Sequence, residues 1–119
     1  MLAAKFSIPF ALATTLVNKN SQVLSFAGDA LTNEKTMALS KKVSVKEISS
    51  MTEMLPQFRP AKVTIGLKSG EVFHHSVKTN KGDWHSNYSA DELEDKFYSL
   101  AGRSLSQKKS ETLYDKLQN

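Results

Sequence analysis

The chain has 119 residues, enough for one domain or a part of a larger one, and 39% of them are hydrophobic, so it can bury a core. Lys and Arg number 16 against 12 Asp and Glu, a formal net charge of +4 that suits an acidic partner or an anionic substrate. There is no cysteine, which excludes a disulfide framework, thiolate zinc sites and cysteine nucleophiles.

The basic residues are scattered: Lys41-Lys42, Lys46, Lys62, Lys78, Lys81, Arg103 and Lys108-Lys109. They form no block and no aromatics interleave with them, so they read as a solvated surface, and nucleic acid is not expected as a partner. No uninterrupted apolar run is long enough for a membrane span.

The chain opens MLAAKFSIPFALATTLVNKN. One cation before an apolar run fits a secretory signal; it also fits the first helix of a folded domain. For the helix, Ser7 suits the N-cap and Pro9 the first turn, where its missing N–H costs nothing. Phe6, Phe10, Ala13, Leu16 and Val17 then recur near helical spacing. A second helix is expected near Asp29 to Leu39, capped by Asp29 or Thr32. KKVSVKE alternates Val43 and Val45 with polar neighbours and predicts a short strand. SSMTEMLPQFRP reads as a loop or broken turn closed by Pro60.

The middle of the chain is the most regular. Ala61, Val63, Ile65 and Leu67 alternate with polar or small residues, the period of a half-buried strand over 61–68. Lys68-Ser69-Gly70 is a turn, and 71–78 returns. A two-residue loop would set Val72, His74 and Ser76 on the face of Val63, Ile65 and Leu67. A three-residue loop, with Gly70 left-handed, pairs Phe73 with Ile65 and Val77 with Ala61. One residue of register exchanges the two faces, and only the second choice gathers the apolar residues, so a type I turn with a glycine bulge is predicted. Phe73 is then expected on a buried face, where truncation to Ala costs roughly 3–5 kcal/mol, with His74 facing the other way.

NKGDWHSNY is a loop by composition, in which Trp84 and Tyr88 either form an exposed contact surface or pin the loop onto the sheet; pinning is favoured. SADELEDKF carries a capping box, Ser89 with Glu92. Leu93, Phe97, Leu100 and Ala101 make one helix face, which Gly102 ends. A last helix from Ser106 turns Leu113, Tyr114 and Leu117 inward. The order gives an α+β fold: a small antiparallel sheet with a hairpin at 61–68 and 71–78, packed against N-terminal and C-terminal helices, in one domain over 1–119.

Residue chemistry supplies no convincing active site. His74 and His75 are neighbours on a strand and point to opposite faces, so they cannot easily share an ion. His85 near Asp83 is half a metal site. Asp91, Glu92, Glu94 and Asp95 lie in the first turns of a helix, where they favour its positive end rather than forming a catalytic pair. There is no glycine-rich phosphate loop and no nucleophile elbow. No catalytic residue and no metal site are assigned.

Four stretches in order, AKFSIPFALATTLV, RPAKVTIGLKSGEVF, KGDWHSNYSADELEDKF and SLAGRSLS, resemble the C-terminal domain of the MmgE/PrpD family from about Ala3 to Leu117. That family includes 2-methylcitrate dehydratase, cis-aconitate decarboxylase and iminodisuccinate epimerase. Lys68-Ser69-Gly70 stands where its hairpin has Lys-Asp-Gly. Ser89, Asp91, Glu92 and Leu93 fit its acidic helix start. Trp84 replaces a proline, and Asn87-Tyr88 replaces Pro-Leu.

The resemblance implies several things. KFSIPFALA is an internal helix rather than a signal peptide cut after Ala13, which places the protein in the cytoplasm. An all-helical N-terminal domain, absent from this chain, carries most of the acids and bases, and this domain closes over the cleft. The chain is then an excised piece, a truncated gene product or a subunit of a split enzyme, and is not catalytic alone. The implied chemistry moves a proton beside a carboxylate of a di- or tricarboxylic acid without a cofactor. Lys5, Ser7 and Phe10 would contact substrate, although Lys5 and Ser7 equally suit plain solubility and capping. Phe10 lacks the hydroxyl of the tyrosine sometimes found there. The implied partners are the helical domain, in cis or as a separate chain, and the carboxylate substrate; a homodimer is left open. The alternative is a small non-enzymatic module that recruits an acidic partner through its basic surface and the Trp84 loop.

Overall fold

The computed structural model describes residues 2–118, the side chain of Leu2 excepted. The chain forms two compact units: residues through Val45 together with those from Asp91 onward, and Lys46–Ala90 between them. The fold is α+β, with helices and a two-stranded antiparallel sheet. Among the described residues no helix is long and apolar enough to cross a membrane.

The first unit begins with one helical turn, α1 (Leu2–Lys5), and then α2 (Ile8–Asn18). Ser7 separates them. Its extended backbone stops the first turn, and its Oγ accepts from the Phe10 N–H at 3.3 Å, a side-chain cap on an otherwise unpaired donor. Pro9 sits inside the first turn, as the spacing predicts. α2 ends at Lys19, which adopts the left-handed conformation (φ 58°) usually left to glycine. Asn18 supports that stop by donating through Nδ2 to the Thr14 carbonyl at 2.9 Å.

Thr14 is fully buried and ties α2 to the next segment. Its Oγ1 donates to the Ser25 carbonyl at 2.7 Å and accepts from Asn18 Nδ2 at 2.9 Å. Ser25 lies in a 3₁₀ turn, Val23–Phe26, and its Oγ donates to Asn20 Oδ1 at 2.8 Å. Phe10 and Phe26 pack beside this polar node with centroids 6.2 Å apart. The buried apolar side chains among the described residues are Phe10 and Ala13; the other buried residues, Thr14, Ser25, Thr36 and Ser110, carry hydroxyls.

The second helix is shorter than its spacing suggests. Gly28–Leu31 is a separate 3₁₀ turn, and α3 (Glu34–Ser40) is capped by Asn33, whose Oδ1 accepts from the Thr36 N–H at 3.1 Å. Neither Asp29 nor Thr32 is the cap. Asn33 takes the role because it directly precedes the helix and its amide oxygen reaches the third residue on. KKVSVKE forms no strand. Val43 and Val45 alternate as strand residues do, but no neighbouring strand pairs with them, and alternation without a partner makes no sheet.

α5 (Ala90–Ala101) and α6 (Gln107–Gln118) return to the first unit. α5 starts directly after Ser89. It stops before Gly102, which closes the turn on the Tyr98 carbonyl at 2.9 Å without the positive φ of a left-handed cap. Phe97, Tyr98 and Tyr114 form an aromatic cluster with centroids 5.2 to 5.3 Å apart. Leu113 and Leu117, expected inward, are exposed, as are Leu93 and Leu100 on the α5 face; Phe97, Tyr98 and Tyr114 make the ring contacts between the helices.

The second unit starts with one helical turn, α4 (Ser49–Thr52), followed by turns through Phe58 and a cis Leu55–Pro56 peptide. The hairpin comes next: β1 (Ala61–Gly66) and β2 (Val72–Val77). Its register pairs Ile65 with Phe73 and Ala61 with Val77, as the three-residue loop requires. Gly70 has φ 93°, and the loop closes through Gly70 N–H to Leu67 C=O at 3.0 Å and Leu67 N–H to Glu71 C=O at 2.8 Å. Phe73 shares a face with Ile65, but that face is not buried: Phe73 is 55% exposed. Two strands cannot cover their own apolar side, since burial needs a second layer.

The hairpin yields the first expected outcome. Gly70→Ala forces a β-carbon into the left-handed region and costs on the order of 1 kcal/mol or more. Phe73→Ala, at a half-exposed site, costs about 1 kcal/mol or less in this chain, not the value of a core phenylalanine. Urea denaturation followed through the hairpin amides by NMR measures both; a Phe73→Ala cost above that of Gly70→Ala contradicts the exposure.

Candidate functional site

Two grooves run along the helical unit. Lys5, the last residue of α1, lines the first together with Ser21, Gln22 and Phe26 near the 3₁₀ turn and Lys96 and Leu100 of α5, around a volume of about 360 Å³. Ser7 and Phe10 line the second with Ala3, Ala4, Leu31, Met37 and Ser40, around about 370 Å³. The three residues singled out by resemblance are therefore divided. Ser7 and Phe10 share a groove, while Lys5 faces the other. Because Phe10 packs on Phe26, the two rings join the walls of both.

The two grooves differ in chemistry. The first is lined by two lysines, of which Lys96 already has an interaction in the chain, by Ser21 and Gln22 and by apolar side chains, and no carboxylate lines it. Such a lining suits an anion with a hydrocarbon body. The second is mainly apolar. Its two hydroxyls already have partners: Ser7 Oγ caps α2, and Ser40 Oγ donates to the Met37 carbonyl at 2.9 Å. The first turn of α2 is a weaker anion site than its position suggests, since Pro9 has no N–H and that of Phe10 is taken by Ser7. Phe10 is only 7% exposed, so its ring serves as wall and core rather than as a reactive group.

Lys96, Ser21 and Gln22 were not found by sequence reasoning. Lys96 had a legible signal: it precedes Leu100 by one helical period, so both lie on one side of α5. Ser21 and Gln22 had none, because an irregular segment carries no period.

The second unit holds a different cluster. The loop after β2 is fixed by Gly82 N–H to Ser86 C=O at 2.7 Å and Ser86 N–H to Asp83 C=O at 2.8 Å. Asp83 accepts from Thr79 Oγ1 at 2.9 Å and pairs with Arg59 at 3.3 Å. The Thr79 hydrogen bond, the backbone N–H groups of Trp84 and His85 and the Arg59 charge hold its carboxyl below the ordinary carboxylate value, against the opposing effect of burial. Tyr88, not Trp84, pins the loop. Its ring lies so close to Gly82 (φ 90°) that a β-carbon there would sit 2.6 Å from Cε2. Trp84 is 81% exposed, which overturns the expectation that it anchors the loop. Away from both grooves, burial and the charges of Glu94, Asp115 and Glu111 raise the Tyr98 hydroxyl above its usual value. Among the described residues no three His, Asp or Glu side chains are grouped to hold a metal ion.

The chain is an α+β module whose two shallow grooves are lined by no carboxylate. The family model described as MmgE/PrpD C-terminal domain matches residues 1–119, and the chain belongs to that family. No curated protein matches it in a sequence search.

Two outcomes are expected. Ser7→Ala removes the α2 cap and costs about 1 kcal/mol of stability, measured by thermal or chemical denaturation. For Asp83 the folded pKa is depressed, so its stabilisation is present above the unfolded value and lost as the pH falls through the lowered folded one. The loop amides around Asp83 should therefore lose hydrogen-exchange protection only in strong acid. Asp83→Asn should abolish that dependence; an unchanged acid transition in the variant would assign it to another group.

Proposed function

We propose that this chain is the cleft-closing C-terminal part of a cytoplasmic MmgE/PrpD-type enzyme that acts on di- or tricarboxylic acids as a dehydratase, decarboxylase or epimerase. The observation that carries the reading is the family match along the whole chain. The Lys5 groove supports it, because Lys5 beside apolar walls suits a carboxylate on a short carbon frame. Proton transfer next to a carboxylate also needs a base and an acid held near the substrate carbon. The groove walls provide cations and neutral donors, so on this reading the acid and base come from the helical partner domain. This chain contributes binding: Lys5 for charge, Ser7 for the geometry of α2, Phe10 for the wall. The working form is then an assembly of the two domains, in one chain or two, open to further pairing with its own copy.

Assays with 2-methylcitrate and cis-aconitate test the reading. The chain alone should show no turnover. In the assembly with a helical domain, Lys5→Gln should raise KM about tenfold with kcat little changed, the pattern of lost uniform binding. Turnover by the isolated chain, abolished by a substitution within it, would overturn the proposed division of labour.

A further inference from the structure

Trp84 is the chain's only tryptophan, and it is strongly exposed on a loop closed by backbone hydrogen bonds. It forms an edge-to-face pair with His85, centroids 5.1 Å apart at 69°, and His85 lies tilted against Phe58 with centroids 4.9 Å apart. Lys78 Nζ stands 3.9 Å from the centre of the Phe58 ring. The backbone on either side of the indole is closed by the Gly82–Ser86 and Ser86–Asp83 hydrogen bonds, and Asp83 is fastened by Thr79 and Arg59. An exposed tryptophan on a flexible loop would mean little. Here the loop backbone is already closed by hydrogen bonds, so less freedom is lost on binding, and an indole offers a large contact area for two rotatable bonds.

Most of the charged residues in and beside the loop are basic. Arg59, Lys78 and Lys81 lie in or beside the loop. Asp83, the acid among them, is 13% exposed and occupied by Thr79 and Arg59, while Arg59 itself is 61% exposed. A partner approaching Trp84 therefore meets an exposed indole on a loop whose charges are mostly positive, with Arg59 held by Asp83 and Lys78 over the Phe58 ring. We propose that the Trp84 loop is a docking surface for a short acidic segment of another protein. That segment would place an aromatic or aliphatic side chain on the indole and its carboxylates on Arg59 and Lys78. A nucleic-acid strand is matched less well. It needs a track of cations and successive open ring faces, whereas here Phe58 is covered by Lys78 and contacts His85. The surface lies wholly in the second unit and does not depend on the enzymatic reading.

The test uses the whole chain and a blocked hexapeptide in which four glutamates flank a phenylalanine and a leucine. Calorimetry and Trp84 fluorescence should show saturable binding that weakens several-fold on raising the salt from 50 to 300 mM. Trp84→Ala should weaken it about tenfold by calorimetry, with Trp84→Phe recovering part of the loss. Lys78→Gln should weaken it several-fold. Circular dichroism checks the fold of each variant. The proposal is overturned by no saturable binding, by equal binding of the glutamine version of the peptide, or by undiminished binding to Trp84→Ala. Tighter binding of a thymidine hexanucleotide would overturn it in favour of a nucleic-acid surface. None of these results bears on turnover of carboxylic acids.

Discussion

The helical unit depends on one hydrogen bond, from Thr14 Oγ1 to the carbonyl of Ser25. Both residues are buried, so the carbonyl has no access to water and the hydroxyl has one geometry that satisfies it. That bond fixes the 3₁₀ turn against α2. It thereby sets Phe26 against Phe10, and the two rings in turn give each groove a wall. A core with so few buried apolar side chains cannot define this geometry by packing alone. Hydroxyl groups, each with a specific partner, supply the directionality that a larger core would provide by shape.

The second unit is organised by backbone conformation instead. Gly70 and Gly82 each take a positive φ, the first to fix a strand register and the second to let Tyr88 lie against the loop. Apolar burial has little part in either. Val72, Phe73 and Val77 remain exposed on β2, while turn geometry still pairs each with a defined residue opposite. Register and burial are separable here. The alternation in the sequence specifies which residues share a face, and nothing in the alternation specifies whether that face is covered.

This separation explains what was legible in the sequence. The hairpin register, the Ser7 cap and both C-terminal helices rest on interactions within a few residues, and local chemistry determined them. The same local chemistry misplaced the cap of α3, because Asp29, Thr32 and Asn33 are all competent and only the end of the preceding 3₁₀ turn selects among them. Val43 and Val45 failed as a strand for want of a neighbour, which no local pattern reports. At the candidate site, the resemblance drew attention to Lys5, Ser7 and Phe10. It could not show that Lys5 faces a different groove from the other two, nor that Lys96 shares that groove. Those are contacts between segments far apart in sequence, set by tertiary packing.

The order of the two units along the chain also bears on how the molecule folds. The helical unit is assembled from two segments that lie on either side of Lys46–Ala90, so α5 and α6 can join α2 only after the intervening chain has been closed into a loop. For an unstructured loop of this length the closure entropy is on the order of 3 kcal/mol, and it rises only slowly with further length. A hairpin with a pre-set turn shortens the effective loop by drawing its own strands together. The middle unit forms from contacts near in sequence, and can do so first. The discontinuous unit then inherits a lower entropic barrier, which makes the residues between the two helical segments a contributor to the folding rate of a unit they do not belong to.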